Sequence, residues 1–250
     1  MNANGLIERH ELKFLASETQ ACALREAIVP FCNPDVHAPA DGYRIHSLYF
    51  DTPQRDFYRA NQLKQLVRIK PRVRTYGPSA CPWVWLEVKR KAGDRVSKQR
   101  MRIPAADWPG ILVSPRAALP QDRLDRDGFL QLHDLHGCEP VCHIGYTRQA
   151  YVSVIDADLR VTFDRHLTAR AVDGVPDLDL YQPGMPIDDV WGTVAPVDGS
   201  PVIVEIKCPA RAPAWIAMLV QRLRLERCGV SKYVLGIDAV RQTQGRAARW

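Results

Sequence analysis

The sequence predicts an α+β fold built mainly from antiparallel β-strands, and two observations indicate it. Nine segments are rich in β-branched or aromatic residues and are bounded by turn formers. Within several of them, charged and apolar residues alternate, which is typical of strands in an antiparallel sheet with one face on the core. The chain has 250 residues, of which 46% are apolar, enough for one large domain with a buried core. We therefore expect residues 1–250 to form a single domain.

The predicted strands are distributed along the whole chain. They cover residues 7–15, 43–50, 65–76, 83–91, 96–103, 144–156, 160–169, 202–207 and 233–237. This number of strands is sufficient to close a barrel. Pro71 interrupts the third strand and removes a hydrogen-bond donor, which predicts a bulge or a sheet edge there.

Three helices are predicted beside the strands. Ser17 followed by Gln20 forms a capping box, and the helix that it opens should end at or before Pro34. A second helix is expected near 127–136. A third is expected over 212–228, where an apolar stripe is typical of a helix that packs on a sheet.

Composition limits the partners and the compartment. The chain contains 34 Lys and Arg against 28 Asp and Glu, and this net charge of +6 predicts an anionic partner. Its seven cysteines lack the spacing of a disulfide framework, which favours free thiols and a cytoplasmic location. No segment approaches the roughly 18 apolar residues of a membrane span, so none is expected. The sequence carries no signature of a protein partner.

The strand charges recur every second residue, so they share faces. The residues concerned are Glu11 and Lys13; Arg68, Lys70, Arg72 and Arg74; Glu87, Lys89 and Lys91; Lys98, Arg100 and Arg102; Arg160 and Asp164; Glu205 and Lys207. A solvated sheet face explains such a pattern in most β proteins. A phosphate-lined interior also explains it, because Arg supplies forked donors for phosphate and the single carboxylates suit Mg²⁺ or Mn²⁺. The residues alone leave both explanations open.

Motifs that contain these residues resemble the VTC domain, the polyphosphate polymerase domain, and more widely the CYTH-like triphosphate tunnel metalloenzymes. They are ERHELKF at 8–14, SLYFDTP at 47–53, RIKPRVRTYG at 68–77, WLEVKRKAGDRVSKQR at 85–100, GYTRQAYV at 145–152, RVTFD at 160–164, VEIK at 204–207 and SKY at 231–233. Their order extends over nearly the whole chain, which is similar to the stand-alone bacterial form of the family.

The resemblance implies an antiparallel eight-stranded β-barrel with flanking helices, whose basic interior holds a triphosphate together with Mn²⁺ or Mg²⁺. The catalytic residues that it implies are Arg72, Arg74, Lys89, Lys98, Arg148 and Arg160. The further phosphate-binding residues are Lys13, Arg68, Lys70, Arg100, Lys207 and Lys232.

The same resemblance implies which residues bind the metal ion and which residue contacts the nucleotide base. Glu205 matches the metal-binding glutamate, with Glu11 and Glu87 as further ligands or as partners that orient nearby cations. Tyr146 is the expected contact of the base. Arg9 stands where tunnel enzymes often carry another glutamate, which is a departure from the pattern.

The expected activity is transfer of the ATP γ-phosphate to a growing inorganic polyphosphate chain by a metal-dependent phosphotransferase. Hydrolysis of tripolyphosphate or a nucleoside triphosphate uses the same cations, and a polyphosphate-binding module without turnover is a third hypothesis. The sequence argues against nucleic acid, since no aromatic platform is evident among the cations. Nor does the spacing of His133, His136, Cys138, Cys142 and His143 fit a standard zinc site.

Overall fold

The computed structural model describes residues 10–36, 38–39, 41–77, 81–93, 95–114, 128–172, 180–187, 201–209 and 212–247. Its strands are β1 (His10–Ala16), β2 (Cys32–Pro34), β3 (Tyr43–Asp51), β4 (Val67–Tyr76), β5 (Trp83–Ala92), β6 (Arg95–Pro104), β7 (Glu139–Ser153), β8 (Arg160–Ala171), β9 (Met185–Pro186), β10 (Val202–Cys208) and β11 (Glu226–Arg227). Its α-helices are α1 (Glu18–Ala27), α2 (Asp56–Gln62), α3 (Gly128–His136), α4 (Ala214–Arg222) and α5 (Lys232–Ala247). The predicted α+β class with a mostly antiparallel sheet is confirmed.

The hydrogen-bonded strands follow the order β11-β1-β10-β8-β7-β3-β4-β5-β6, with β2 beside β7 and β9 beside β8. The two ends of this order are β11 and β6, and they do not pair with each other within the described ranges. The expectation of a closed, eight-stranded barrel was therefore wrong, because the sheet has 11 strands and is open. Alternation of charged and apolar residues identifies strands, but it does not determine which strands pair with each other, and barrel closure depends on that pairing.

The chain forms two compact units, each assembled from separate segments. The first contains Met1–Tyr43, Tyr146–Leu167 and Asp188–Val230, and the second contains Arg44–Gly145, Thr168–Ile187 and Ser231–Trp250. The expectation that 1–250 behaves as one domain stays a prediction.

The core of the first unit lies between helices and the apolar faces of three strands. Leu24 and Ile28 of the α1 region pack with Phe14 of β1, Phe163 of β8 and Val204 of β10 in one buried cluster. The charged residues of these strands occupy the alternate positions. The predicted alternation is thus confirmed for β1, β8 and β10.

The second unit repeats this arrangement on β4, β5 and β6. Val73, Leu86 and Ile103 are almost fully buried, while their neighbours in sequence carry the charges. Helix α3 packs against β4 and β5, and α2 packs against β4 and α5. Of the two predicted alternatives, the sheet edge is confirmed for Pro71 and the bulge is not, because Pro71 pairs with Val88 of β5 and lies just beyond the β3 pairing, which begins at Arg72.

Helix predictions were confirmed at one end of the chain and corrected at the other. The capping box of Ser17 and Gln20 is present at the start of α1. Helix α4 ends at Arg222, short of the predicted 228, and Arg224 then adopts a positive φ of 50°. The predicted strand 233–237 is instead part of α5. Within the described segments, no helix is long and apolar enough to cross a membrane.

Candidate functional site

Side chains on one side of β4, β5 and β6 form a cationic surface of the second unit, which we call the basic face. Strand register aligns them in rows across the three strands. The rows are Lys70, Lys89 and Lys98; Arg72, Glu87 and Arg100; and Arg74, Trp85 and Arg102. Arg68 and Lys91 pair directly before the first row. The structure thus places three lysines, and then two arginines about one carboxylate, side by side.

Each of the two carboxylate oxygens of Glu87 contacts cationic side chains. Its Oε2 lies 2.6 Å from Arg72 Nη2 and 3.8 Å from Arg74 Nη1, and its Oε1 lies 2.7 Å from Lys98 Nζ and 3.1 Å from Arg100 Nε. Burial alone would raise the pKa of Glu87, but the charges of Arg72, Arg74 and Lys98 outweigh burial and hold that pKa far below its usual range. Glu87 therefore stays ionised and orients these cations. Its expected role as a metal ligand stays a prediction.

Lys98 differs from an ordinary surface lysine. Burial lowers its pKa to about 8, since the attraction of Glu87 only partly offsets burial and the nearby Arg72 adds repulsion. The Lys98 side chain is 43% exposed, and at pH 7 its ammonium group stays charged.

The first turn of helix α5 adds further groups to the basic face. Lys70 Nζ donates a hydrogen bond to Ser231 Oγ at 2.8 Å, directly before the helix begins at Lys232. Arg72 Nη1 donates to the Tyr49 hydroxyl at 3.2 Å, and the Tyr49 ring stacks on Tyr233 at 4.9 Å. Because a helix N-terminus carries partial positive charge, this turn adds to the positive potential of the face.

Tyr49 is a member of this group that the sequence did not identify. Burial would raise the pKa of its phenol, but Arg72 and Arg74 outweigh burial, so the pKa is lowered. Tyr49 lies in the SLYFDTP motif, as Ser231 lies in SKY, and the motif membership was the available signal for both.

The first unit holds two carboxylates around Lys13. Lys13 Nζ lies 3.2 Å from Glu11 Oε1 and 3.2 Å from Glu205 Oε1. Burial alone would lower the pKa of Lys13, but the two carboxylates outweigh it and raise that pKa above its usual range. Two carboxylate oxygens therefore converge on one cationic centre, and hard oxygen donors of this kind suit Mg²⁺ or Mn²⁺.

Protein ligands for such an ion are few. In the described part of the chain, no three His, Cys, Asp or Glu side chains are grouped to hold a metal. Glu11 and Glu205 nevertheless fit Mg²⁺ or Mn²⁺, since Mg²⁺ sites commonly use one or two carboxylates and complete the shell with water and phosphate. Arg9 lies outside the described residues.

Arg148 is held by carboxylates in the same unit. Its Nε and Nη2 donate to Asp164 Oδ1 and Oδ2, both at 2.6 Å, and Nη2 also lies 3.4 Å from Glu205 Oε2. Burial would lower the pKa of Arg148, but Asp164 foremost among its neighbours raises it well above its usual range. This bidentate pair fixes the guanidinium and links it to Glu205.

The other predicted residues of the first unit lie in different environments. Lys207 aligns with Glu11 on one side and Arg160 on the other. Arg160 is exposed, with Nη1 3.5 Å from Asp35 Oδ2. Tyr146 is only 2% exposed, and the Arg148 guanidinium lies 5.4 Å from its ring centroid. The ring is therefore poorly placed to receive a nucleotide base in this structure.

The predicted residues divide between the units. Those of the second unit are Arg68, Lys70, Arg72, Arg74, Glu87, Lys89, Lys98, Arg100 and Lys232; those of the first are Glu11, Lys13, Tyr146, Arg148, Arg160, Glu205 and Lys207. The structure brings Arg72, Arg74, Lys98 and Arg100 together at Glu87. It brings Glu11 and Glu205 together at Lys13, and Arg148 to Glu205.

The basic face and the Lys13 cluster define an antiparallel α+β protein whose strands carry clustered cations in contact with a few carboxylates. The chain belongs to the VTC domain family, whose model matches residues 8–241. No curated protein matches the chain.

Several solved structures share similarity with the chain. A protein of Pyrococcus horikoshii OT3 is 15% identical, with a TM-score of 0.46 over 91% of this chain and 97% of that one. A provisionally named adenylate cyclase of Vibrio parahaemolyticus is 14% identical, with a TM-score of 0.46 over 92% and 97%. Another, of Bacillus halodurans, is 11% identical, with a TM-score of 0.49 over 90% and 96%.

Proposed function

We propose that the protein is a polyphosphate polymerase, which transfers the γ-phosphate of ATP to the end of an inorganic polyphosphate chain. The observation that carries the proposal is the convergence of Arg72, Arg74, Lys98 and Arg100 on Glu87. This cluster contains four formal positive charges and one negative charge, and a triphosphate supplies the anions that complement it. Membership of the VTC domain family supports the same substrate class.

Phosphoryl transfer depends on positioning the reacting groups and on neutralising the charge that develops on the transferred group. Arg72 is fixed by Glu87 and the Tyr49 hydroxyl, and Arg74 Nε donates to Ser47 Oγ at 3.1 Å. Guanidinium groups held in this way lose little freedom when they bind phosphate oxygens. The adjoining row of Lys70, Lys89 and Lys98 would bind neighbouring phosphates along β4 to β6.

In the first unit, Glu205 and Glu11 would hold Mg²⁺ or Mn²⁺. When bound, the ion supplies positive charge to phosphate oxygens. Lys13 contacts and orients both carboxylates, and Arg148 restrains the second oxygen of Glu205.

Arg72→Ala should abolish most turnover, because Arg72 is the guanidinium that Glu87 and Tyr49 both orient. We expect a fall of about 100-fold or more, the usual effect of removing one preorganised donor from a transition state. The measurement is ³¹P NMR of purified protein with ATP and Mn²⁺ or Mg²⁺, following internal-chain phosphate signals. Arg95→Ala is the matched control, since Arg95 is exposed and its position in the alternation of β6 differs from that of Lys98 and Arg100.

Glu205→Gln tests the metal site separately and should remove metal-dependent turnover.

The same spectra distinguish the other hypotheses. Orthophosphate release without internal-chain signals would assign the face to a hydrolase. Tight binding of tripolyphosphate without turnover would support the hypothesis of a non-catalytic polyphosphate-binding module. Equal activity of wild type and Arg72→Ala would contradict the proposed role of the basic face.

Binding of tripolyphosphate should weaken as the pH rises through about 8, because Lys98 then loses its charge. Lys98→Arg should retain the affinity, since a guanidinium stays protonated in this range. Isothermal titration calorimetry at constant ionic strength from pH 7 to above pH 9 measures both. An identical decline in wild type and Lys98→Arg would show that another group titrates.

A further inference from the structure

Aromatic side chains share the basic face of the second unit. Along β5, Trp83 and Trp85 are partly exposed, while Val84 and Leu86 between and after them are 3% and 1% exposed. The two tryptophans therefore lie on the cationic side of the sheet and not in the core. Their cross-strand neighbours are Pro104 and Arg102. The sequence-based expectation that no aromatic platform accompanies the cations was wrong, although the two-residue spacing of Trp83, Trp85 and Glu87 already indicated a common face.

Two arginines of β6 stack on these rings. The Arg102 guanidinium carbon lies 4.1 Å from the Trp83 ring centroid, and that of Arg100 lies 4.8 Å from Trp85. Arg100 Nη2 also donates to the Tyr76 hydroxyl at 3.0 Å, and the Tyr76 and Trp85 rings meet edge to face. We call Tyr76, Trp83, Trp85, Arg100 and Arg102 the aromatic end of the basic face.

Arg100 connects the aromatic end to the proposed phosphate site. Its Nε contacts Glu87, the carboxylate that orients Arg72, while its guanidinium lies against Trp85. Along β5, Trp85 stands four residues before Lys89 of the lysine row, which corresponds to about 13 Å of strand. This separation is comparable to that between the terminal phosphate and the base of an extended nucleoside triphosphate.

We propose that the aromatic end binds the nucleobase of the nucleoside triphosphate donor, an inference that rests on the proposed function. Nucleobases stack on aromatic rings and on guanidinium planes, and Arg102, exposed on β6 and backed by Trp83, offers such a plane. The donor would lie with its base near Trp85 and its phosphates directed towards Arg72 and the lysine row. This assigns the base to a surface other than Tyr146.

Cross-strand stabilisation of the sheet is the competing explanation for these aromatic residues. The two explanations differ in how the ligands respond to substitution. A residue that only stabilises the sheet affects ATP and tripolyphosphate alike, whereas a base-binding residue affects ATP more strongly.

Trp85→Leu tests the proposal, with affinities for ATP and for tripolyphosphate measured by calorimetry under identical conditions. We expect the ATP affinity to fall about tenfold more than the tripolyphosphate affinity, because loss of one stacked base costs about this much, whereas tripolyphosphate senses the substitution only through Arg100. Arg102→Lys is the second variant, because it keeps the charge and removes the planar group. Arg95→Lys is its matched control on the alternate position of β6.

Equal losses for both ligands, or no loss for either, would overturn the base-binding role while leaving the proposed phosphate site intact. Failure of the wild type to bind tripolyphosphate would overturn the proposed function itself, and the inference with it. A single-stranded oligonucleotide that bound more tightly than ATP would assign the surface to nucleic acid and would also overturn the proposal.

Discussion

Glu87→Gln should lower the free energy of unfolding by about 3 kcal/mol, because breaking a buried ion pair leaves its partners without compensation. Glu87 is 1% exposed, and Arg72, Lys98 and Arg100 lie within 3.1 Å of its oxygens. The partly exposed Lys98 and Arg100 retain some hydration, which places the effect at the lower end of the usual range. Urea denaturation at pH 7 measures it.

Tripolyphosphate should restore much of this stability. The anion would take the place of the missing carboxylate charge, so the ligand-induced rise in melting temperature should be larger for Glu87→Gln than for the wild type. The comparison is made in EDTA and again with Mg²⁺. If Glu87 served as a metal ligand instead, the substitution would weaken tripolyphosphate binding only when the metal is present. A change in unfolding free energy under 1 kcal/mol would contradict the ion-pair role.

The pH dependence of stability provides an independent check. The pKa of Glu87 is depressed in the folded protein relative to about 4.3 in an unfolded chain. The contribution of Glu87 to the free energy of unfolding is therefore complete above about pH 5, and it is lost as the pH falls towards the pKa of Glu87 in the folded protein. Glu87→Gln lacks this carboxyl group, so its stability should decline less than that of the wild type between pH 5 and pH 3.

The sequence predicted the basic face well because strand alternation is a local property. Residues two apart share a face whatever the strand pairs with, so Arg72, Arg74, Lys98 and Arg100 could be assigned before the sheet order was known. Their convergence on Glu87 could not be assigned, since it depends on the register that places Arg72, Glu87 and Arg100 opposite one another. Register is set by non-local pairing.

One short apolar segment was assigned to the wrong kind of element. Residues 233–237 are mostly apolar, a composition that suits a buried helix turn as well as a strand. Gly236 favoured neither helix nor strand in the sequence, yet in α5 it allows a close approach, because a Cβ atom there would lie 2.5 Å from Ile144 Cδ1. The helix therefore depends on packing that the sequence does not display.

Asp51→Ala should lower the free energy of unfolding by about 3 kcal/mol, because buried hydrogen bonds to a charged group are among the strongest in proteins. Asp51 is fully buried, and its two oxygens accept from the backbone N–H groups of Thr52, Phe57 and Tyr58 and from the Tyr233 hydroxyl. The first turn of helix α2 is capped by this carboxylate together with the Thr52 hydroxyl, which accepts from the Asp56 N–H, since the N-cap Arg55 has a φ of 62° and provides no side-chain cap. Urea denaturation measures the loss.

The same substitution should also weaken tripolyphosphate binding, because Asp51 fixes the first turn of α5 through Tyr233. Burial raises the pKa of Tyr233 far above its usual range, and the nearby Asp51 raises it further, so the phenol remains a donor. Tyr233 in turn stacks on Tyr49, the partner of Arg72.

Tyr233→Phe tests the contact between Asp51 and α5 without removing the cap of α2. The variant keeps the ring and removes the hydroxyl, and it should reduce the affinity for tripolyphosphate in calorimetry while α2 stays capped. Asp134→Ala, at an exposed carboxylate of α3, is the control for both variants. Unchanged stability of Asp51→Ala would contradict the capping role, and unchanged affinity of Tyr233→Phe would show that α5 is positioned by its packing alone.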